Sequence, residues 1–277
     1  MEWTCFDVTV EQKVGHVRLN RPEALNTMIP EFWSELPRVV AELSDRGDVR
    51  AIVVSSTGKH FSAGMDLSVF TSSGLSMDGE PGRRNATFMI LVKRLQETFT
   101  ALERARVPVL AAVQGGCIGG AVDMVCAADM RYASADAYFV IQEANIGMTA
   151  DVGTLQRLPK LIPDGVAREL VYTGRRMSAQ RALEVGLVNE VFDDHDALIA
   201  GVLEIAAEIA TKSPLTLWGA KEALVYARDH SVPDALHQIA LWQTGAFQPA
   251  DMMESFAAKG EKRAPDYQDL PPAPSGI

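Results

Sequence analysis

Three carboxylates stand within one mainly apolar stretch: Asp123, Glu143 and Asp151, spaced twenty and eight positions apart. Desolvating an ionised acid is costly, so carboxylates in such surroundings need a partner, a proton or a task. Acids that share an apolar cleft raise one another's proton affinity, which suits proton transfer near neutral pH. Each acid also has an ordinary structural reading. Asp123 would lie in the first turn of a helix opening near Gly120, where the dipole stabilises it. Asp151 precedes Val152-Gly153-Thr154-Leu155 and could serve as a helix cap, and Glu143 simply follows the strand-like run Tyr138-Phe139-Val140-Ile141. Singly none of them demands chemistry; as a set they are harder to dismiss.

The same stretch opens on glycines. Gln114-Gly115-Gly116-Cys117-Ile118-Gly119-Gly120 follows the apolar run VLAAV (109–113) and leads into the helix at Gly120. A strand–glycine–helix turn gathers free backbone N–H groups and a positive helix end at one spot. It is not a dinucleotide fingerprint, because Cys117 stands where GxGxxG needs glycine, and no Walker lysine follows. GxSxG and HExxH are absent, and the five histidines form no ligand cluster. A pair of amides aimed at an oxyanion remains, and it needs a second loop. Phe61-Ser62-Ala63-Gly64-Met65-Asp66, after the apolar run AIVVS (51–55), is the candidate.

Elements must hold these loops in place. Phe6, Val8 and Val10 alternate with polar residues, and His16 to Leu19 can return antiparallel after a turn near Val14-Gly15. Pro30-Glu31-Phe32-Trp33 begins a helical pattern, with Pro37 inside it predicting a kink or a late start. Residues 71–84 read as a mobile loop, with four glycines or prolines. Phe88, Val92, Leu95, Phe99 and Leu102 then mark an apolar helix face, stopped before Pro108. Beyond residue 194 the pattern is helical, with cap signals at Ser213-Pro214 and Ser231-Val232-Pro233-Asp234. Strands alternating with helices and then helices alone predict an α/β core over 1–200 and a helical unit over 201–263. The tail 264–277, with four prolines, should be extended or disordered.

Composition narrows the class. The chain has 277 residues, 47% hydrophobic and 22% charged, and a net charge of −10. An acidic chain argues against a general nucleic-acid binder, and no apolar run reaches the length of a membrane span. Three cysteines, Cys5, Cys117 and Cys126, without a CxxC pair speak against a disulfide framework or zinc site. Lys259-Gly260-Glu261-Lys262-Arg263 is a local basic cluster, which reads either as a solvated helix end or as an anion contact.

These residues together resemble the crotonase (enoyl-CoA hydratase/isomerase) superfamily over nearly the whole chain. Asn20-Arg21-Pro22-Glu23-Ala24-Leu25-Asn26 is similar to its early loop on the coenzyme A side. Phe61 to Leu67 is similar to its first oxyanion-hole loop, and Gly119-Gly120-Ala121-Val122-Asp123 to its second. The acid set, with the strings ADVGTLQRLPK (150–160) and ARDHSV (227–232), looks like the 3,5-dienoyl-CoA to 2,4-dienoyl-CoA isomerases. Ordinary hydratases of the superfamily usually carry Glu where Asp123 stands and a small residue where Asp151 stands. The resemblance implies a ββα spiral core with a helical C-terminal unit that caps the site and forms trimers. It implies a thioester oxygen held by the amides of Met65 and Gly120, Glu143 as the base at C2, Asp151 as the acid at C6, and Asp123 tuning the pair. Acyl-CoA contacts are implied at Glu23, Ala24, Leu25, Ser62, Ala63, Gly64 and Asp66, with Lys259 reaching the coenzyme A phosphates. No cofactor beyond substrate-borne coenzyme A is expected, no nucleic-acid or membrane partner, and a homo-oligomer, trimer or dimer of trimers. The chain ends Pro-Ser-Gly-Ile rather than in a peroxisomal tripeptide, so the expected compartment is the cytosol. Enoyl-CoA hydratase, 3,2-enoyl-CoA isomerase and a non-catalytic acyl-CoA-binding subunit stay open as alternatives.

Overall fold

The structure is a computed structural model that describes residues 3–66, 68–69, 80–247 and 249–274. Most of the loop expected over 71–84 therefore lies outside the described residues, as does Leu67 of the first glycine loop.

The chain begins with a hairpin, β1 (Phe6–Glu11) and β2 (Val14–Leu19), paired antiparallel. Its turn lies at Gln12-Lys13, two residues before the place expected from Val14-Gly15; both residues have positive φ, 48° and 66°. A two-residue connection with left-handed dihedrals matches the twist of paired strands. It leaves Val14 and Gly15 free to pair with Glu11 and Val10.

Helix α1 (Pro30–Asp45) follows and runs through Pro37 without interruption. Proline cannot donate to the carbonyl four residues back, that of Trp33. Thr98 Oγ1 donates to that oxygen instead, at 3.0 Å in the buried interior. The late start expected from Pro37 does not occur, and a neighbouring element satisfies the acceptor that proline leaves orphaned.

Strand β3 (Ala51–Ser56) leads to α2 (Pro81–Arg104), whose first turn is capped by the Glu80 carboxylate accepting from the Gly82 and Arg83 amides. Residues 81–84 are thus helical rather than part of a loop, since Pro81 supplies a preset φ at the first position. Then come β4 (Val109–Val113), β5 (Gly116–Ile118), α3 (Gly120–Cys126), β6 (Met130–Ser134) and β7 (Tyr138–Val140). Short elements follow: α4 (Thr154–Arg157), α5 (Asp164–Thr173), β8 (Met177–Ser178), α6 (Ala179–Glu184) and β9 (Glu190–Phe192). The chain closes with α7 (His195–Ala210), α8 (Pro214–Asp229), α9 (Val232–Ala246) and α10 (Pro249–Glu261).

Six strands form one sheet in the order β1-β2-β3-β4-β6-β9, parallel from β2 onward, and β5-β7-β8 form a second, smaller one. Both faces of the large sheet are covered, which explains the unbroken apolar runs of β3 and β4. Ile52, Val54, Val109 and Ala111 face the main core with α1 and α2; Ala51, Val53, Leu110 and Ala112 face α7. The main core includes an aromatic cluster of Phe6, Phe32, Trp33 and Phe99 with ring centroids 5.3–6.4 Å apart. On α2 only the C-terminal half of the expected apolar face is used: Phe99 and Leu102 are buried, whereas Phe88 is exposed.

Residue 200 falls inside α7, a helix that packs on the sheet, while α8 to α10 lie beyond it. The two cap signals function: Ser213 Oγ accepts from the Thr216 amide, and Ser231 Oγ accepts from the Asp234 amide and donates to the Asp234 carboxylate. The described part of the tail has no regular structure but is tied down. Leu270 and Ala273 amides donate to Gly47 and Asp45 carbonyls, and buried Arg50 binds the Tyr267 carbonyl and the Asp269 carboxylate.

Candidate active site

The two glycine loops meet. Ser62 exchanges backbone hydrogen bonds with Gly116 and Ile118, so the first loop lies parallel to β5, directly ahead of α3. On its other side the Gly64 carbonyl accepts from the Met28 amide and the Asp66 amide donates to the Met28 carbonyl. In that parallel pairing the Met65 amide points away from Met28 and toward α3. Gly64 has φ of 87°, and a Cβ there would fall 2.5 Å from the Ile118 carbonyl oxygen and 3.4 Å from the Gly120 nitrogen. A Cβ on Gly120 would meet Met28 Sδ at 3.3 Å and the Met65 nitrogen at 3.8 Å. The Met65 and Gly120 amides therefore stand side by side, close enough for one acceptor oxygen. Neither has a hydrogen-bond partner among the described residues.

The acids converge on this amide pair. Asp123, in the first turn of α3, is fully buried. Its Oδ1 accepts from the Thr154 amide at 2.5 Å, while Oδ2 is buried without a hydrogen-bond partner among the described residues. Burial pushes the Asp123 carboxyl up to about 6; the hydrogen bond from Thr154 opposes this and the charge of Asp151 adds to it. Glu143 opens a short 3-10 turn (Glu143–Ile146), and its Oε1 lies 3.4 Å from the position of a Cβ on Gly119. Burial, then the charges of Asp123 and Asp151, push Glu143 up to about 7. Asp151 is half-buried in the turn before α4, and burial raises its carboxyl above the usual range. The structure thus brings the three acids into one electrostatically coupled group. Asp151 does not cap α4: Gly153 takes the cap position.

The residues implied to contact the acyl-CoA fall into two sets. Glu23 and Ala24 lie in a 3-10 turn (Pro22–Ala24), followed by Leu25 in the left-handed region and exposed; the Leu25 carbonyl accepts from the Ala63 amide at 3.0 Å. This clips the early loop to the first glycine loop. Ser62 is fully buried, its hydroxyl donating to the Asn26 carbonyl and accepting from the Gly64 amide, so that side chain shapes the loop. The Asp66 carboxylate accepts from the Ser68 amide and the Thr27 hydroxyl, which hold it below the usual carboxylate range. Lys259 is exposed in the last turn of α10, and no hydrogen bond among the described residues joins it to the acids or the glycine loops. In the same cluster Arg263 pairs with Glu254 and Glu261.

Three contributors were missed by sequence reading: Thr154, whose amide holds Asp123; Gln96, whose side-chain amide donates to the Asp151 carbonyl at 2.7 Å; and Arg157, bound to Glu103. A backbone donor leaves no trace in residue type. The four-and-three spacing of Gln96, Thr100 and Glu103 along the helix was the available signal.

A doubly covered sheet, two glycine loops presenting paired amides and an acid cluster beside them define a class, and comparison with known proteins agrees. The Enoyl-CoA hydratase/isomerase family profile matches residues 9–270, and the chain belongs to that family, with its crotonase-type fold. It is 45% identical over 261 residues to the mitochondrial Delta(3,5)-Delta(2,4)-dienoyl-CoA isomerase of Mus musculus, covering 93% of this chain and 80% of that one. It is 38% identical to the peroxisomal protein of that name from Arabidopsis thaliana, covering 94% of each. An enoyl-CoA hydratase from Bacillus anthracis superposes with a TM-score of 0.85 at 29% identity, covering 95% of this chain and 99% of that one. The expected cytosolic compartment is overturned by these relatives, which are mitochondrial and peroxisomal by name. Receptor-read addresses leave no imprint on a folded core, so the core's pattern could not supply one.

Proposed function

We propose that this protein is a Δ(3,5)-Δ(2,4)-dienoyl-CoA isomerase of fatty acid beta-oxidation. The observation that carries the reading is the convergence of Asp123, Glu143 and Asp151, all with raised proton affinity, beside the Met65 and Gly120 amides. The identity with isomerases of that name over nearly the whole chain supports it.

The thioester oxygen accepts from the Met65 and Gly120 amides. Glu143 takes a proton from C2, and the electron pair spreads over a conjugated dienolate whose charge grows on that oxygen. Donors aimed where charge develops act most strongly in the transition state, each worth about 3 kcal/mol. Asp151 then delivers a proton to C6, leaving double bonds at C2 and C4. C2 and C6 lie on the order of 5 Å apart in an extended diene, so one carboxyl does not reach both and two separate acids are needed. Asp123, shorter than Glu and held by Thr154, orients and tunes the pair. Proton carriers and an oxyanion site suffice for this reaction, so coenzyme A enters only as part of the substrate.

Glu23, Ala24 and Leu25, with the backbone of Ala63 and Gly64, line the coenzyme A side of this proposal. Ser62 and Asp66 shape the loop, and Lys259 serves the phosphates, in an oligomer from a neighbouring subunit. The oligomer is a trimer or dimer of trimers, supported by exposed Leu224, Val232, Leu236 and Phe256 on α8 to α10, each more than 60% accessible.

Purified protein should convert a 3,5-dienoyl-CoA into a product absorbing as a conjugated dienoyl thioester. Asp151→Asn should lower that rate by about 10²-fold or more, as for loss of a general acid, with the circular dichroism spectrum unchanged. Undiminished turnover of the variant would remove Asp151 from the mechanism. Rapid hydration of crotonyl-CoA with little isomerisation would favour the hydratase reading instead.

A further inference from the structure

The turn that carries Asp151 is gripped by one face of α2. Gln96, Thr100 and Glu103 recur at spacings of four and three, so they share one side of that helix. Gln96 binds the Asp151 carbonyl. Glu103 accepts from Nε and Nη2 of Arg157 at 3.0 and 2.8 Å, and Thr100 Oγ1 accepts from Nη2 at 3.2 Å. Arg157 closes α4, the short helix whose first amide, that of Thr154, holds Asp123. A Cβ on Gly153 would fall 1.9 Å from Arg157 Nη1, so only glycine, at φ of 140°, leaves the guanidinium its place over the turn. The Arg157 and Glu103 side chains are 12% and 10% exposed. Burial alone would raise the Glu103 carboxyl, but hydrogen bonds from Arg157 and Arg228 outweigh it and keep the group ionised. A bidentate, shielded pair of this kind has one geometry.

We infer that Arg157, locked by Glu103 and Thr100, is a positioning residue for proton transfer: it fixes the 151–154 turn so that the Asp123 and Asp151 carboxyls act from one rigid unit. This rests on the acid roles proposed above. Arg157 also acts through its charge. The titratable groups facing Asp123 are Glu143 and Asp151, the buried thiols of Cys117 and Cys126, and Arg157, the cation of the set. Removing that cation makes Asp123 harder to ionise.

The test compares full-length wild type with Arg157→Gln, Arg157→Lys and Glu103→Gln, each checked for folding by circular dichroism and thermal melting. Arg157→Gln should lower kcat at least tenfold with KM within twofold, and shift the titration of Asp123 upward. Arg157→Lys keeps the charge and should return that titration to its wild-type position. Its kcat should stay reduced, because an ammonium does not reproduce the planar fork. A ¹³C NMR titration of aspartate carboxyls, with Asp123→Asn assigning the resonance, reads the same upward shift without turnover. If wild type isomerises no dienoyl-CoA, the acid roles fall, and the titration still decides for or against Arg157. Folded Arg157→Gln with wild-type kcat and wild-type Asp123 titration overturns the inference, even if its melting temperature is lower. Should Arg157→Gln fail to fold, wild-type kcat in both Arg157→Lys and Glu103→Gln overturns it.

Discussion

Glu143 works as a base only when it has lost its proton, and burial with two neighbouring carboxylates moves that loss to about 7. The kcat/KM profile should therefore rise with pH through about 7 and fall again where Asp151 loses the proton it must deliver, and Glu143→Gln should abolish the rate. The same shifts carry a stability cost of definite sign. Glu143 and Asp123 both bind protons more tightly folded than unfolded. Their contribution to stability is thus fullest below the ordinary carboxylate range and is lost as pH rises through about 6 to 7. Calorimetric melting should show less stability gained on acidification from pH 8 to 5 in a Glu143→Gln/Asp123→Asn variant than in wild type. At Gly64 the prediction is steric. Alanine places a methyl 2.5 Å from the Ile118 carbonyl and strains a φ of 87°, so the loop must move and the Met65 amide with it. Losing one oxyanion donor should lower kcat by about 10²-fold, which steady-state kinetics of Gly64→Ala will show.

Among the elements, α1 and α2 illustrate how one helix completes another. The Trp33 carbonyl, deprived of its intrahelical donor by Pro37, depends on the Thr98 hydroxyl of α2. Thr98→Val keeps the shape and removes the donor, leaving a buried carbonyl unsatisfied at a cost of about 1–3 kcal/mol. Urea denaturation should record that loss, with turnover per folded molecule unchanged. Helix α2 therefore has two tasks on different faces. Phe99 and Leu102 build the core under α1, while Gln96, Thr100 and Glu103 hold the turn bearing Asp151.

For the whole molecule the unpartnered apolar side chains of α8 to α10 are the main feature. Leu224 and Phe256 are 73% and 62% exposed in the single chain, which leaves both open to burial against a second copy. Sedimentation equilibrium should give three or six times the 30.1 kDa chain mass. Phe256→Glu with Leu224→Glu should shift it to the monomer. If Lys259 of one subunit serves a neighbour's phosphates, that dissociated variant should also show a raised KM for acyl-CoA.

What the sequence alone determined is what depends on neighbours along the chain. The apolar β3 and β4 runs, the left-handed glycines at 64 and 119 and the two serine caps follow from residue type, dihedral angle and donor satisfaction along the chain, and all were readable. The spacing of the three acids was readable too, as a pattern without a geometry. Tertiary structure decided how that pattern becomes a site. Thr154 reaches Asp123 across 31 residues, Gln96 reaches Asp151 across 55 and Glu103 reaches Arg157 across 54. The continuous α1 and the exposed Phe88 were likewise settled by packing partners distant in sequence. Proton affinity belongs with them, because desolvation and the field of other charges exist only once the folded chain has excluded water.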